Sequence, residues 1–334
     1  MMMKLTKLAV PQPKLLLTGR GATTHDVSRA IRRQCDSGEL IRLGRGAYLA
    51  ASEWAALDDR ARHIAQMRAA QARHSTPIVF VHDSAAAVLD YPAYGYFSTV
   101  PQAISRQPRQ STSQLRWHRG ELADDEIVEC DGFFITSPER TLWDIACTAP
   151  FARAVGMLDA GIRTLRPKDA AVSAPRVDRE HLLERVSKRS GKRGTVRAAR
   201  SIGFARDGAD SLGESLSRVQ EYLFGFEEPE LQVTVSDVDG DIGVADQCWR
   251  EHRLLGEFDG YEKYTRNRYT HGKAPSDVVF DEKVREDRMR ATGGGMARWL
   301  WVDAHSGSRL AAILTRAGLP RESRPRDDWG GMPR

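Results

Sequence analysis

The stretch GDIGVADQCWREHRLLGEFDG, residues 240–260, constrains the fold more than any other part of the chain. Two apolar runs flank the polar tip REHR, which centres between Glu251 and His252, so the segment reads as a β-hairpin. Pairing about that tip sets Asp246 opposite Glu257, and the alternation of side chains puts Asp259 on the face of Glu257. Three carboxylates then share one patch of a largely apolar sheet. Directly opposed like charges destabilise a strand pair unless they share a proton or hold a hard cation such as Mg2+. Such a patch suits metal-assisted phosphodiester hydrolysis, where the ion polarises a phosphoryl oxygen and activates water.

At 334 residues the chain is long for one domain, which points to two or three units. Its 41% hydrophobic and 28% charged residues are those of an ordinary globular protein, not of a disordered or fibrous one. No apolar run approaches the roughly 20 residues that cross a bilayer. The start, MMMKLTKLAVPQPKLLL, lacks a small-residue cleavage site, so neither a membrane partner nor a secretory signal is expected. Cys35, Cys130, Cys147 and Cys248 are scattered without CxxC spacing, which argues against a zinc ribbon or a disulfide framework and fits a reducing cytoplasm.

The net charge of +5 hides a strong segregation. Residues 1–50 hold nine Lys/Arg against three Asp/Glu, and residues 163–200 hold twelve against four. Residues 221–262 reverse the balance, with two basic against twelve acidic residues. Basic segments beside an acidic one are what a polyanion-binding protein with a cation site would carry. There is no internal repeat. Composition divides the chain into an N-terminal module (1–50), a mixed α/β region (51–150), a basic helical connector (151–204), a helix–strand module (205–320) and a Pro/Gly-rich, charged tail (321–334) expected to be disordered.

In TTHDVSRAIRRQCDSGELIRLGRGAYLA, Thr23 or Thr24 can cap a helix that Gly38 ends. Val27, Ile31 and Cys35 form one stripe expected to be buried, which leaves Arg29, Arg32 and Arg33 on the other side. Two short strands follow around Gly44-Arg45-Gly46, with Arg42 and Arg45 near the tip. An arginine-faced helix followed by a basic hairpin is the plan of a winged helix-turn-helix, whose helix enters the major groove while the wing touches the backbone. DNA is therefore the expected partner. Further on, SPERTLWDIA reads as a helix start, with Ser137 as N-cap, Pro138 and Glu139 in the first turn, and an Arg140–Asp144 pair at i and i+4.

The motifs GELIRLGRGAYLA, VHDSAAAVLDYP and ITSPERTLWDIA resemble the winged-helix antitoxins of the AbiEi type, over about residues 14–150. That resemblance implies a transcriptional autorepressor-like N-terminal region and admits a cognate toxin as a second partner, in a phage-defence or toxin–antitoxin-like setting.

Ahead of the acidic hairpin, SLGESLSRVQEYLF reads as a helix that buries Leu212, Leu216, Val219 and Leu223. Its Glu214 has two readings of equal weight: a fourth acid of the site, or the glutamate of a capping box begun by Ser211. The order of Glu214 on a helix, Asp246 on a strand and Glu257-Phe258-Asp259-Gly260 ending the next strand resembles the PD-(D/E)XK nuclease superfamily, particularly its very-short-patch-repair-like and DUF559-like members, over about residues 205–315. It continues through a helix in APSDVVFDEKVREDRMRATGG to a closing strand in ARWLWVD. The resemblance implies a mixed sheet flanked by helices, Mg2+ held by Asp246, Glu257 and Asp259, and DNA cleavage with Glu214 in support. It departs from the E-x-K triplet, since Asp259 stands at the lysine position; Lys263 or Lys283 would have to supply the positive charge that helps activate water. The loop TRNRYTHGKAPSD adds Arg266, Arg268, His271 and Lys273 with Tyr264 and Tyr269 interleaved, a mix that can grip a nucleic-acid backbone and stack a base.

Other chemistries lack their residues. DVDGDIG has Cys248 where a calcium loop needs its final Glu, and no Walker motif, HExxH or GxSxG is present. The expectation is a cytoplasmic, multi-domain α/β protein: a winged helix-turn-helix, an α/β middle region and a restriction-endonuclease-like mixed sheet that hydrolyses DNA. The alternative is a non-catalytic, antitoxin-like repressor on a degenerate nuclease domain.

Overall fold

The structure, a computed structural model, describes residues 3–5, 10–18, 25–165, 173–260, 285, 288–289, 291 and 294–322. Expectations for Thr23 and Thr24, Tyr264 to Lys273, Lys263, Lys283 and most of the tail lie outside the described residues. The protein is α/β, with mixed sheets, and divides into two compact units: Met1–Ala149 with Thr164–Gly203, and Pro150–Arg163 with Phe204–Arg334.

The first unit starts with β1 (Met3–Leu5), β2 (Leu16–Leu17), α1 (His25–Asp36), β3 (Leu40–Gly44) and β4 (Ala47–Ala50). Strands β2, β4 and β3 form a three-stranded antiparallel sheet in that spatial order. Gly38 follows α1 with φ +77°, as a C-terminal glycine does when the chain must turn left-handed. In the β3–β4 turn Gly46 has φ +75°, and a Cβ there would lie 3.0 Å from the Thr18 carbonyl oxygen, so only glycine fits. Ile31 is buried as expected, but Val27 is 46% exposed: the buried stripe of α1 begins one turn later than its periodicity indicated.

The chain continues through α2 (Ala51–Ala56), α3 (Asp59–Gln71), β5 (Val79–Phe80), α4 (His82–Val88), β6 (Gln102–Ser105), β7 (Arg116–Arg119), β8 (Ile127–Cys130), β9 (Phe133–Thr136) and α5 (Pro138–Thr148). These strands and β1 make a six-stranded mixed sheet, ordered β1-β8-β9-β5-β6-β7. Asp131 and Gly132, both at positive φ, close the β8–β9 hairpin in the tight turn whose twist matches paired strands. Helix α5 starts as its sequence indicates: Ser137 Oγ accepts from the Arg140 amide, and the Arg140 guanidinium donates to both Asp144 oxygens at 2.9 and 3.0 Å.

The segment expected as one basic connector splits. Helix α6 (Phe151–Ile162) is buried along almost its whole length and belongs to the second unit. Helices α7 (Arg179–Lys188) and α8 (Thr195–Phe204) follow, and several of their arginines serve the first unit's own structure. Arg185 pairs with Glu126, Arg179 donates to the Ile202 and Gly203 carbonyls, and Arg197 donates to the Thr148 carbonyl. These are structural anchors, not a solvated face.

In the second unit, α9 (Leu212–Leu223) precedes β10 (Glu230–Asp237), β11 (Gly240–Trp249), β12 (Leu254–Asp259), β13 (Gly295–Leu300), α10 (Trp301–His305) and α11 (Gly307–Arg316). Arg285, Arg288, Met289 and Ala291, between β12 and β13, are helical. The sheet runs β10-β11-β12-β13, antiparallel except for the parallel β12–β13 pair. Helix α9 packs on one face, where close approach is made possible by glycines. A Cβ on Gly213 would stand 2.0 Å from the Phe258 ring, and one on Gly256 would meet both Trp299 and Trp249. The Trp299 indole N–H donates to Ser217 Oγ of α9 at 2.7 Å, fixing β13 against the helix.

Candidate acidic site

The β11–β12 register places the acids. Gln247 pairs with Gly256, Cys248 with Leu255 and Trp249 with Leu254, the register expected from the tip at Glu251 and His252. The ladder ends at that first pair, and Asp246, one residue earlier, turns its Oδ2 to accept the Phe258 amide at 2.9 Å. By strand alternation Glu257 and Asp259 share the sheet face opposite α9, but Asp246, expected beside them, turns to the α9 side: Ala245 and Cys248 both pack with Leu255 and Met289, so alternation breaks between them, and the charge of Asp246 acts on Glu214 of α9. Asp259 lies half-buried at the end of β12, level with Leu300 of β13.

Glu214 serves as the capping residue that one of its two readings expects. Ser211 Oγ accepts the Glu214 amide at 3.2 Å, and Glu214 itself accepts the Asp210 amide and the Ser211 hydroxyl, each at 2.8 Å. That is helix capping. Its carboxyl is also pushed up to about 7, first by burial and then by the charge of Asp246. The negative charge of Asp246 that favours a proton on Glu214 also favours a cation beside the pair. Gln232 donates to the same carboxylate at 3.2 Å and holds its orientation.

Glu257 has partners that the sequence did not reveal. Its Oε1 accepts from Arg285 at 2.6 Å and its Oε2 from Arg298 at 2.8 Å. Arg298 is level with Glu257 in the parallel β12–β13 pair. Among the described residues, positive charge beside Glu257 comes from β13 and from Arg285. Nearby, Arg288 clamps Asp237 at the end of β10 with two bonds, at 2.9 and 2.7 Å.

Among the described residues, no group of three or more His, Cys, Asp or Glu side chains is gathered as a metal shell. Asp246, Glu257 and Asp259 are oxygen donors of the kind a hard cation such as Mg2+ takes, but the three expected ligands do not come together as one set: Asp246 lies with Glu214 on the α9 side and Glu257 on the other face. The coupled Glu214–Asp246 acids favour positive charge beside them. The oxygens of Glu257 now engage guanidiniums.

In the first unit the arginines expected to touch DNA reach solvent: Arg29, Arg32 and Arg33 on α1, Arg42 on β3, and Arg45 in the turn. Only long contacts restrain two of them, Arg29 to Asp26 at 3.8 Å and Arg42 to the Gly44 carbonyl at 3.4 Å. Arg266, Arg268 and Lys263 lie outside the described residues. A second polar group, which the sequence did not signal, joins His82 (φ +51°) to His118, their rings 4.5 Å apart; burial pushes each down to about 4.

No family model matches the chain, and no solved structure matches it. Among curated proteins it is similar to the uncharacterized proteins Rv2248 and MT2308 of Mycobacterium tuberculosis, strains ATCC 25618 / H37Rv and CDC 1551 / Oshkosh. Identity is 29% over 191 residues in both, covering 57% of this chain and 64% of the length of each relative. What the fold defines is an α/β protein with mixed sheets. Among the described residues no helix is long and apolar enough to cross a membrane.

Proposed function

We infer that the protein binds DNA through its first unit and carries, in its second, an endonuclease-like site for Mg2+-dependent phosphodiester hydrolysis. The observation that carries this reading is the pair of acids between α9 and the sheet: Glu214 from α9 is electrostatically coupled to Asp246, which is held by the Phe258 amide. The element order supports it. A helix, three antiparallel strands, a helical stretch and a strand parallel to the third follow the PD-(D/E)XK plan. Bound Mg2+ would be held at the Glu214–Asp246 pair and would supply charge stabilisation and an activated water. The chain's own contributions are orientation of Asp246 by the Phe258 amide, a buried Glu214 able to hold or release a proton near neutral pH, and guanidiniums at the rim.

The reader is a winged-helix-like module. The β2-β4-β3 order with α1 ahead of the hairpin supports it, as do the exposed arginines on helix and turn. A defence role, as in phage-restricting or toxin–antitoxin-like systems with a cognate toxin as second partner, follows from the AbiEi-like motifs.

A second reading has its own support: a repressor whose second unit binds without cutting. Asp259 at the usual lysine position and a Glu257 engaged by two arginines favour it. Gel-shift titration without metal, followed by Mg2+ addition to supercoiled DNA, separates the two. The first reading gives binding and then nicking that an Asp246→Ala/Glu257→Ala variant lacks; the second gives binding alone.

A further inference from the structure

From Gln102 to Gly120 the chain holds four arginines and no acidic residue. Arg106 and Arg109 lie in the loop after β6, Arg116 and Arg119 lie on β7, and all four are exposed. Among the described residues, none of the four side chains makes an ion pair or a hydrogen bond. The Arg109 guanidinium sits over the Trp117 ring, 4.6 Å from its centre, and strand alternation puts Arg119 on that same face of β7. Strand β7 is an edge of the six-stranded sheet, so no further strand covers this strip.

The loop that carries the strip is held in place. The Trp117 amide donates to Ser111 Oγ at 2.9 Å, and the Thr112 amide donates to the Leu115 carbonyl at 2.9 Å. Gln114 accepts from Arg73, and a Cβ on Gly44 would stand 3.6 Å from Gln114 Oε1. The loop therefore runs beside the β3–β4 turn that carries Arg45, and the strip continues the basic hairpin.

We propose that Arg106, Arg109, Arg116 and Arg119 form a second DNA-backbone contact, over which a duplex seated at the β3–β4 turn continues across the edge of the six-stranded sheet. The proposal rests on the reading above that the first unit binds DNA. Guanidiniums without a carboxylate partner are ready to neutralise phosphates, and the counterions released there strengthen binding at low salt. Planar guanidinium forks also match phosphate oxygens in geometry. Such a contact fixes how the duplex lies on the protein but reads no sequence, which is left to the helix and the turn. A loop already ordered by Ser111, Thr112 and Gln114 loses little further freedom when DNA arrives.

The test is duplex DNA binding by the full chain, followed by fluorescence anisotropy across a salt series. Arg109→Gln/Arg119→Gln should bind more weakly at low salt and reduce the salt slope by about 2, one for each phosphate no longer neutralised. Arg119→Gln by itself, which removes no ion pair or hydrogen bond among the described residues, should reduce it by about 1. Arg109→Lys/Arg119→Lys should keep the wild-type slope, since the charge is what counts. A wild-type slope in the glutamine variants, beside a lowered slope for Arg32→Ala on α1, would overturn the second contact and leave the first unit's DNA reading standing. An equal loss in the glutamine and lysine variants would mark a structural role and overturn the contact too. A changed slope with single-stranded RNA but not with duplex DNA would overturn the choice of partner. No duplex bound by the wild type at low salt would overturn the DNA reading itself.

Discussion

Arg298 on β13 stands level with Glu257 on β12 and donates to its Oε2 at 2.8 Å, while Arg285 takes Oε1. Neutralising the carboxylate therefore leaves two guanidiniums facing each other. Breaking a fully buried ion group costs about 3–5 kcal/mol, but these arginines keep roughly a quarter or more of their exposure, which softens the loss. Glu257→Gln should destabilise the second unit by about 2 kcal/mol in urea unfolding. An unchanged midpoint would show the group to be only loosely held.

Gly213 sits in the first turn of α9, where alanine would ordinarily favour the helix by about 1 kcal/mol. Here the added Cβ would stand 2.0 Å from the Phe258 ring, and that ring is pinned in β12. Overpacking of this kind costs about 1–3 kcal/mol, so the clash decides the sign. Gly213→Ala should lower the thermal midpoint; a rise would mean that Phe258 can move aside freely.

Glu221, wholly buried on α9, is pushed up to about 8 by that burial, with neighbouring Gln247 and the Arg218 charge pulling only partly back. An unfolded glutamate ionises near about 4.3. Between those values the folded chain keeps a proton that the unfolded chain has lost. Stability from this group is therefore full below the unfolded value and falls as pH rises towards the folded one, by at most about 1.4 kcal/mol per pH unit. Glu221→Gln should flatten the decline measured by chemical unfolding from pH 5 to 8. Parallel curves for variant and wild type would contradict it.

The first unit's arginines divide into two kinds. Arg29, Arg32 and Arg33 lie on the exposed side of α1, whereas Arg185 is paired with Glu126 and lies over the Trp143 ring. Alanine at any of the α1 arginines should weaken DNA binding and reduce the salt slope by about 1 for each phosphate no longer neutralised. Arg185→Ala should lower stability while leaving the salt slope alone. The reverse pattern, measured by fluorescence anisotropy across a salt series, would move the DNA surface away from α1.

What the sequence revealed followed from local geometry. The tip at Glu251 and His252 set the β11–β12 register as far as Gln247 and Gly256, because a hairpin's loop fixes its pairing, but Asp246 turned away from the Glu257 face because alternation breaks between Ala245 and Cys248. Arg298 was not legible. Its place beside Glu257 depends on a parallel pairing across more than thirty residues, set by packing of Gly256 between Trp249 and Trp299. Glu214 stayed divided because the same Ser211–Glu214 spacing serves a cap and a site, and the structure uses it for the cap while setting it beside Asp246. The basic connector misled because charge was counted from Arg163 onward; FARAVGMLDAGI, just before it, is apolar and packs as buried α6. Charge composition also cannot tell an arginine in solvent from Arg185 in an ion pair.

The phosphodiester-cleaving centre proposed for the second unit is built on Glu214 and Asp246. Its most direct measurement is a time course of supercoiled-plasmid nicking by the full chain in Mg2+ and in chelator, beside Asp246→Ala and Glu214→Gln at equal DNA occupancy. The account predicts nicking only with Mg2+, abolished by Asp246→Ala and slowed by Glu214→Gln. Bound but intact plasmid under every condition, with wild type and both variants alike, would contradict it and leave a DNA-binding protein with a non-cutting second unit.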